Sequence, residues 1–282
     1  AAICRVVNGM KRFTIGCIGA RTTAFKTTRF DEIGLQKNGI TVEAFDLSEV
    51  FFKVNAKEDN DPVVLAKKEH LENYTDFSNV PEDKKIMLSK ISVVIDEYVE
   101  EYHLDALAIR CWNEMETILR VCPCVLLSEL NDRGIATSCE IDLTSAISMR
   151  AMQLASEQPT AVLDWNNNYG DAEDKLILFH CGSCAQSLMT KKGTVTSHKM
   201  FDKGDPGSGW GTNEGRIRPF KTTISNCLTV DGKIKIYASE AEFTDDPIED
   251  AYFGCAGVCQ IPNMEDKMIR LARGGFKHHT CV

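Results

Sequence analysis

The chain has 282 residues, 43% hydrophobic and 26% charged, with a net charge of −9 at pH 7, enough for a substantial core and for two domains. The acidic balance argues against a nucleic-acid surface, and no run reaches the roughly 18 apolar residues of a membrane span. No charged-then-apolar leader opens the sequence, so the twelve cysteines read as reduced cytoplasmic thiols, several inside apolar runs (Cys17, Cys111, Cys139) as small hydrophobes.

Residues 1–10 read as an irregular lead. A strand follows over 12–19, where Gly16 and Gly19 permit a tight turn; Arg21 beyond it is a surface cation or meets an anion. A helix is predicted over 28–37, closed by Gly39 as a C′ residue, then a strand over 40–45 with Asp46 placed to cap the next helix. Residues 53–83, punctuated by Pro62 and Pro81, suit exposed helix and linker. Ile91, Val94, Ile95, Tyr98 and Val99 recur at helical spacing within 86–102. A strand over 104–109 delivers Arg110, Cys111 and Trp112 to its carboxyl end, where Trp112 either packs in the core or walls a small pocket. Helices over 113–120 and 125–132, interrupted by Cys122-Pro123-Cys124, lead to a strand over 135–139 that presents Glu140. After an amphipathic run over 143–155, a further strand ends in Asp164 and Trp165. This alternation predicts an α/β domain over 1–171, with a mostly parallel, Rossmann-like sheet flanked by helices.

Beyond residue 171 the pattern changes. Short strands over 175–179, 193–197, 215–221, 222–230 and 233–242 are separated by glycine and aspartate turns. Asp231-Gly232 is a two-residue hairpin tip. Residues 172–282 are therefore expected to form an antiparallel, β-barrel-like domain. The glycine-rich stretch 204–211 suits a loop that covers a site; it lacks the Lys-Ser/Thr ending of a phosphate loop, so no nucleotide is assigned to it.

The chemistry-bearing residues are Glu140 and Asp164, 24 residues apart, each at the carboxyl end of a strand, the edge where open α/β sheets gather ligands. Phe179-His180-Cys181-Gly182 and Gly274-Gly275-Phe276-Lys277-His278-His279 add histidines. Two acids with histidines form a donor set for a divalent cation such as Mn²⁺. Each residue has a plainer reading. Glu140 also suits a helix cap, and Asp164 a turn. His180 with Cys181, Cys184 and the Cys255/Cys259 pair suggests zinc, although the spacing fits no standard module.

Taken in order, Phe13-Ile15-Gly16-x-x-Gly19-Ala20-Arg21, Cys139-Glu140-x-Asp142, Asp164, His180-Cys181-Gly182 and the closing Gly-Gly-x-x-His-His-Thr resemble the L-fucose isomerase and L-arabinose isomerase superfamily over nearly the whole chain. The resemblance implies metal-dependent aldose–ketose isomerisation through an enediol, with Mn²⁺ as cofactor. It implies Glu140, Asp164 and His279 as metal ligands, places His180 where arabinose-type members have another and where the fucose type need not bind metal, and gives Glu140 and Asp164 the acid–base work. Trp112, Trp165, His278 and Arg21 are the residues expected to meet the sugar. It further implies self-association as a trimer or hexamer, and a further α/β domain ahead of the matched stretch. A non-catalytic carbohydrate-binding or regulatory relative that keeps the pocket is the alternative reading.

Overall fold

A computed structural model describes residues 1–202, 206–249 and 252–282. The first half of the chain runs α1 (Ala2–Gly9), β1 (Phe13–Ile18), α2 (Glu32–Lys37), β2 (Ile40–Phe45), α3 (Leu47–Ala56), α4 (Pro62–Tyr74), α5 (Glu82–Glu101), β3 (Ala106–Ile109), a π-helical turn over Met115–Leu119, α6 (Cys124–Asp132), β4 (Ala136–Cys139) and α7 (Leu143–Ser156). The second half runs β5 (Val162–Asn168), β6 (Lys175–His180), β7 (Thr194–Ser197), α8 (Lys199–Asp202), β8 (Trp210–Arg216), β9 (Phe220–Val230), β10 (Lys233–Phe243), β11 (Cys255–Gln260), α9 (Met264–Arg273) and β12 (His279–Cys281). Among the described residues, no helix is long and apolar enough to cross a membrane.

Two sheets organise these elements. The first is parallel and four-stranded, in the order β2-β1-β3-β4. Its side chains alternate as the pleat requires. Ile18, Leu107 and Ile109 enter one apolar cluster with Val94 and Ile95 of α5; Ile15, Cys17, Ala106 and Ala108 enter another with Leu35 and Ile147. The second sheet has eight strands in the order β10-β9-β12-β5-β6-β11-β8-β7, and β10 also pairs with β11 at Phe243 and Cys259. It is mostly antiparallel, with β11 and β8 parallel. Helix α7 is the wall between the sheets: Ala146, Ile147 and Met149 share a cluster with Ala106 and Ala136 of the first and with Val162, Cys227 and Cys281 of the second. The amino end of α7 therefore opens where the sheets meet.

The parallel strands, the Asp46 cap, which accepts from Ser48 N at 2.8 Å, and the Asp231-Gly232 hairpin, both residues at positive φ, follow the sequence. Several expectations need correction. Residues 2–9 are helical rather than irregular. Arg5 donates from Nε and NH2 to the carbonyls of Leu154 and Ala155, both at 2.8 Å, satisfying acceptors that the end of α7 leaves free. The segment 113–120 is a short π turn ended by Arg120 at φ 62°, not a regular helix. The strand carrying Asp164 does not extend the parallel sheet. It pairs antiparallel with β6 and β12, in keeping with a sequence that turns to exposed asparagines after Trp165, where a two-sided parallel strand would stay apolar. The strands expected at 215–221 and 222–230 begin instead at Trp210 and Phe220, so the end of the glycine-rich stretch is strand. Its residues 204 and 205 lie outside the described residues. The strand β11, helix α9 and short strand β12 had no counterpart among the predicted elements.

Candidate metal centre

The site begins at the end of β4. Glu140 and Ile141 both adopt left-handed backbone, with φ 64° and 58°. Such conformations cost about 1–3 kcal/mol each for non-glycine residues and persist only where the surroundings impose them. Here Thr28 Oγ1 donates to the Glu140 carbonyl at 3.3 Å, Asp142 N donates to the Cys139 carbonyl at 3.0 Å, and the Ile141 side chain is buried. The double turn separates two carboxylates. Asp142, not Glu140, caps α7, accepting from Ser145 N at 3.0 Å and from Ser145 Oγ at 2.6 Å. Glu140 is left with Oε2 3.3 Å from His279 Nε2.

The other groups arrive on the second sheet. His279 on β12 stands directly opposite Asp164 on β5, and its Nε2 lies 3.3 Å from Asp164 Oδ1. His180 ends β6, its ring centroid 5.8 Å from that of His279. Possible ligand atoms, one each from Glu140, His180 and His279, lie within 4.8 Å of one another, as do those from Asp164, His278 and His279. His279 belongs to both groups.

Asp142 and Lys277 set the chemistry of His279. The Asp142 side chain is wholly buried; its Oδ2 accepts from His279 Nδ1 at 2.6 Å, while the Lys277 ammonium donates to Oδ1 and to Thr144 Oγ1. Burial alone would raise the Asp142 carboxyl, but the Lys277 charge and the bond from His279 hold it well below the usual range. Burial disfavours a charge on His279, yet Asp142 and Glu140 push its ring up to about 10. His180 is also driven against its burial, up to about 9, by Cys181, Asp164 and Glu140 around it. Asp164 is raised, by burial first and by Glu140 after it. His278 is lowered by burial and by the neighbouring His279.

The donor set fits a divalent cation. Glu140 Oε2, Asp164 Oδ1, His180 Nε2 and His279 Nε2 are buried with no hydrogen-bond partner among the described residues, an arrangement that is costly unless something occupies the space between them. Octahedral ligands at about 2.1 Å from a cation stand about 3 Å apart, close to the 3.3 Å separations from His279 to the two carboxylates. Oxygen and imidazole donors without sulfur suit manganese or magnesium better than a structural zinc site. All twelve cysteines are free, and none falls in a metal-competent group among the described residues.

Of the remaining residues singled out by sequence, His278 borders this cluster, whereas Trp112, Arg21 and Trp165 make their described side-chain contacts elsewhere. His278 is on its open side, 40% exposed, with Nε2 3.5 Å from Asp164 Oδ1 and Nδ1 3.4 Å from Thr27 Oγ1. Trp112 stands edge-on to Phe25 and Phe201, at 5.4 and 5.2 Å between ring centroids, and its carbonyl accepts from Thr22 Oγ1. Arg21 donates to the carbonyls of Thr22 and Phe25, within the loop that carries Thr28. Trp165 packs against an apolar cluster that includes Leu163, on the face of β5 turned away from Asp164. Sequence reasoning gave no role to Asp142, Lys277 or Thr28. Their signals were modest: a cap-type Asp142 just after Glu140, and a lysine beside the histidine pair.

No protein-family model matches the chain. Among curated proteins, it is 26% identical over 187 residues to the sulfoquinovose isomerase of Priestia megaterium, covering 66% of this chain and 42% of that protein. It is 28% identical over 183 residues to the sulfoquinovose isomerase of Alkalicoccus urumqiensis, covering 64% of this chain and 41% of that protein. A protein of the same name in a Clostridium strain is 28% identical over 150 residues, 53% of this chain and 33% of that protein. The chain thus spans about two-fifths or less of the length of these relatives, and the proteins it resembles bear the name of a sugar isomerase.

Proposed function

We propose that this chain carries the metal centre of an aldose–ketose isomerase whose substrate is a hexose bearing an anionic group. The observation that supports it most is the meeting of buried, unpartnered oxygen and nitrogen atoms from Glu140, Asp164 and His279. Glu140, Asp164 and His279 would hold the cation, Mn²⁺ in this reading. When bound, it supplies Lewis acidity that stabilises negative charge on the sugar oxygens during enolisation. The protein does the rest. One carboxylate takes the proton from C2 of the open-chain aldose and returns it to C1 of the enediol; the other carries the hydroxyl proton from O2 to O1. Asp142, itself held by Lys277, fixes the His279 ring and its tautomer, as carboxylates behind metal-binding histidines do. Self-association as a trimer or hexamer and a cytoplasmic setting belong to the same proposal.

The relatives' name points to sulfoquinovose, a hexose with a sulfonate on C6, and a feature of this chain suits such a substrate. The loop 20–30 holds Arg21, Lys26 and Arg29 and no acidic residue. Among the described residues, none of the three has a carboxylate within 4.0 Å. Thr28 and Thr27 tie this loop to Glu140 and His278, and in this reading its cations meet the anionic group.

Proton exchange tests the proposal. With Mn²⁺ and the 6-sulfonated hexose in D₂O, the C2 proton signal should decay as ketose forms, and Glu140→Gln should abolish both. Metal-loaded protein that neither exchanges that proton nor forms ketose contradicts the isomerase reading.

A further inference from the structure

We propose that His180 is not a ligand of the cation but presents an N–H, at Nε2, to a substrate oxygen. The inference comes from what surrounds the other nitrogen of its ring. Cys181 N lies 3.0 Å from His180 Nδ1 with hydrogen-bond geometry. A backbone amide can only donate, so Nδ1 must offer its lone pair and the neutral ring carries its proton on Nε2. Cys181 Sγ at 3.3 Å and Ser183 Oγ at 3.4 Å crowd the same nitrogen. If the ring gains a second proton, Nε2 still carries one. In neither state does Nε2 offer a lone pair to a cation.

His279 is wired the opposite way. Its Nδ1 meets the Asp142 carboxylate, which can only accept while ionised, so the neutral ring carries its proton on Nδ1 and leaves the Nε2 lone pair free. Two buried rings thus face one space with complementary atoms, a lone pair from His279 and an N–H from His180. That N–H has no partner among the described residues, and a ring nitrogen of His180 lies within 4.8 Å of ligand atoms of Glu140 and His279.

The His-Cys-Gly sequence makes this arrangement possible. Gly182 has φ 149°, and a Cβ there would fall 2.6 Å from Asn213 N and 3.0 Å from Thr212 Cα. Only glycine lets the chain pass this close to β8 while bringing Ser183 Oγ back to 3.4 Å from the imidazole. An N–H aimed at an oxygen that gains negative charge during enolisation stabilises that charge without transferring a proton, and such a donor contributes about 10²–10³ in rate.

The identity of the oxygen rests on the isomerase reading, whereas the tautomer and the absence of ligation do not, and the test separates them. Long-range ¹H–¹⁵N correlation spectra of ¹⁵N-labelled, metal-free protein report which nitrogen of each ring is protonated, with His180→Gln and His279→Gln supplying the assignments. In spectra recorded at a pH where the rings are neutral, the expected result is a His180 ring protonated on Nε2 and a His279 ring protonated on Nδ1; at pH 7, Mn²⁺ affinity by calorimetry should stay within threefold of wild type for His180→Gln and fall about 100-fold for His279→Gln. A His180 Nε2 without a proton in the neutral ring, or a loss of Mn²⁺ affinity in His180→Gln equal to that in His279→Gln, overturns the proposal. Where turnover is present, His180→Ala should lower kcat about 100-fold and His180→Gln, which keeps an N–H donor, should recover most of it. The isomerase reading fails instead if the tautomers are as stated and no sugar proton exchanges.

Discussion

Asp142→Asn is the most informative single substitution outside the proposed ligands. The side chain is wholly buried between two donors, the Lys277 ammonium and His279 Nδ1. An amide has one oxygen to offer, so its NH₂ must face one of those donors. It also leaves Lys277, 4% exposed, without its counter-charge. Removing one member of a buried pair costs about 3–5 kcal/mol, which corresponds to a fall of about 1 M or more in the urea midpoint at slopes of about 1–3 kcal/mol per M. Loss of the carboxylate behind a metal-binding histidine weakens metal affinity about 10–100-fold. The pH dependence has a definite sign. His279 is raised from 6.5 to about 10, so its contribution is complete below 6.5 and lost as pH rises through about 10. Asp142 is lowered from 3.8, so its contribution is complete above the ordinary carboxylate range and lost only as pH falls through its depressed value. The stability gap between wild type and Asp142→Asn should therefore be widest from about pH 5 to pH 6.5 and narrow toward pH 10. Urea unfolding across that range, with Mn²⁺ calorimetry at pH 7, measures both effects. Adding Lys277→Met should recover part of the lost stability by removing the stranded charge. An Asp142→Asn protein with an unchanged midpoint and Mn²⁺ affinity within threefold of wild type would refute the reasoning.

Two further predictions concern the loop over the site. Thr28→Val removes the bond that pins the left-handed Glu140; it should cost about 1 kcal/mol in urea unfolding and weaken Mn²⁺ binding severalfold. Lys26→Ala and Arg29→Ala should each raise KM for a 6-sulfonated hexose about tenfold, since a hydrogen bond to a charged group contributes about 1.5–3 kcal/mol, and leave KM for the neutral hexose unchanged. Equal effects on both sugars would remove these cations from substrate recognition.

The sequence made the parallel strands legible because each is a short apolar run closed by a turn or a cap, and their order follows from the helices between them. The Asp231-Gly232 turn was legible because both residues must take positive φ. The placement of Asp164 was not. A strand that follows α7 reads as one more parallel strand, and what draws it into the other sheet is antiparallel pairing with β6 on one side and, on the other, with β12, which is three residues long and too short to show a pattern. The carboxylate and histidine types were readable as a donor set, but their roles were not. Which carboxylate caps α7 depends on a double left-handed turn at Glu140 and Ile141, residues that ordinarily avoid that conformation. Which histidine offers a lone pair depends on Asp142 behind one ring and the Cys181 amide behind the other, contacts made only when the sheets come together.

The most direct test of the central claim is Mn²⁺ calorimetry on the wild-type chain, Glu140→Gln and Asp164→Asn, each with and without the 6-sulfonated hexose. The account predicts binding by wild type, tightened by the sugar, and none by either variant. Absence of binding, or binding indifferent to both substitutions, would contradict a metal and sugar site built on Glu140, Asp164 and His279.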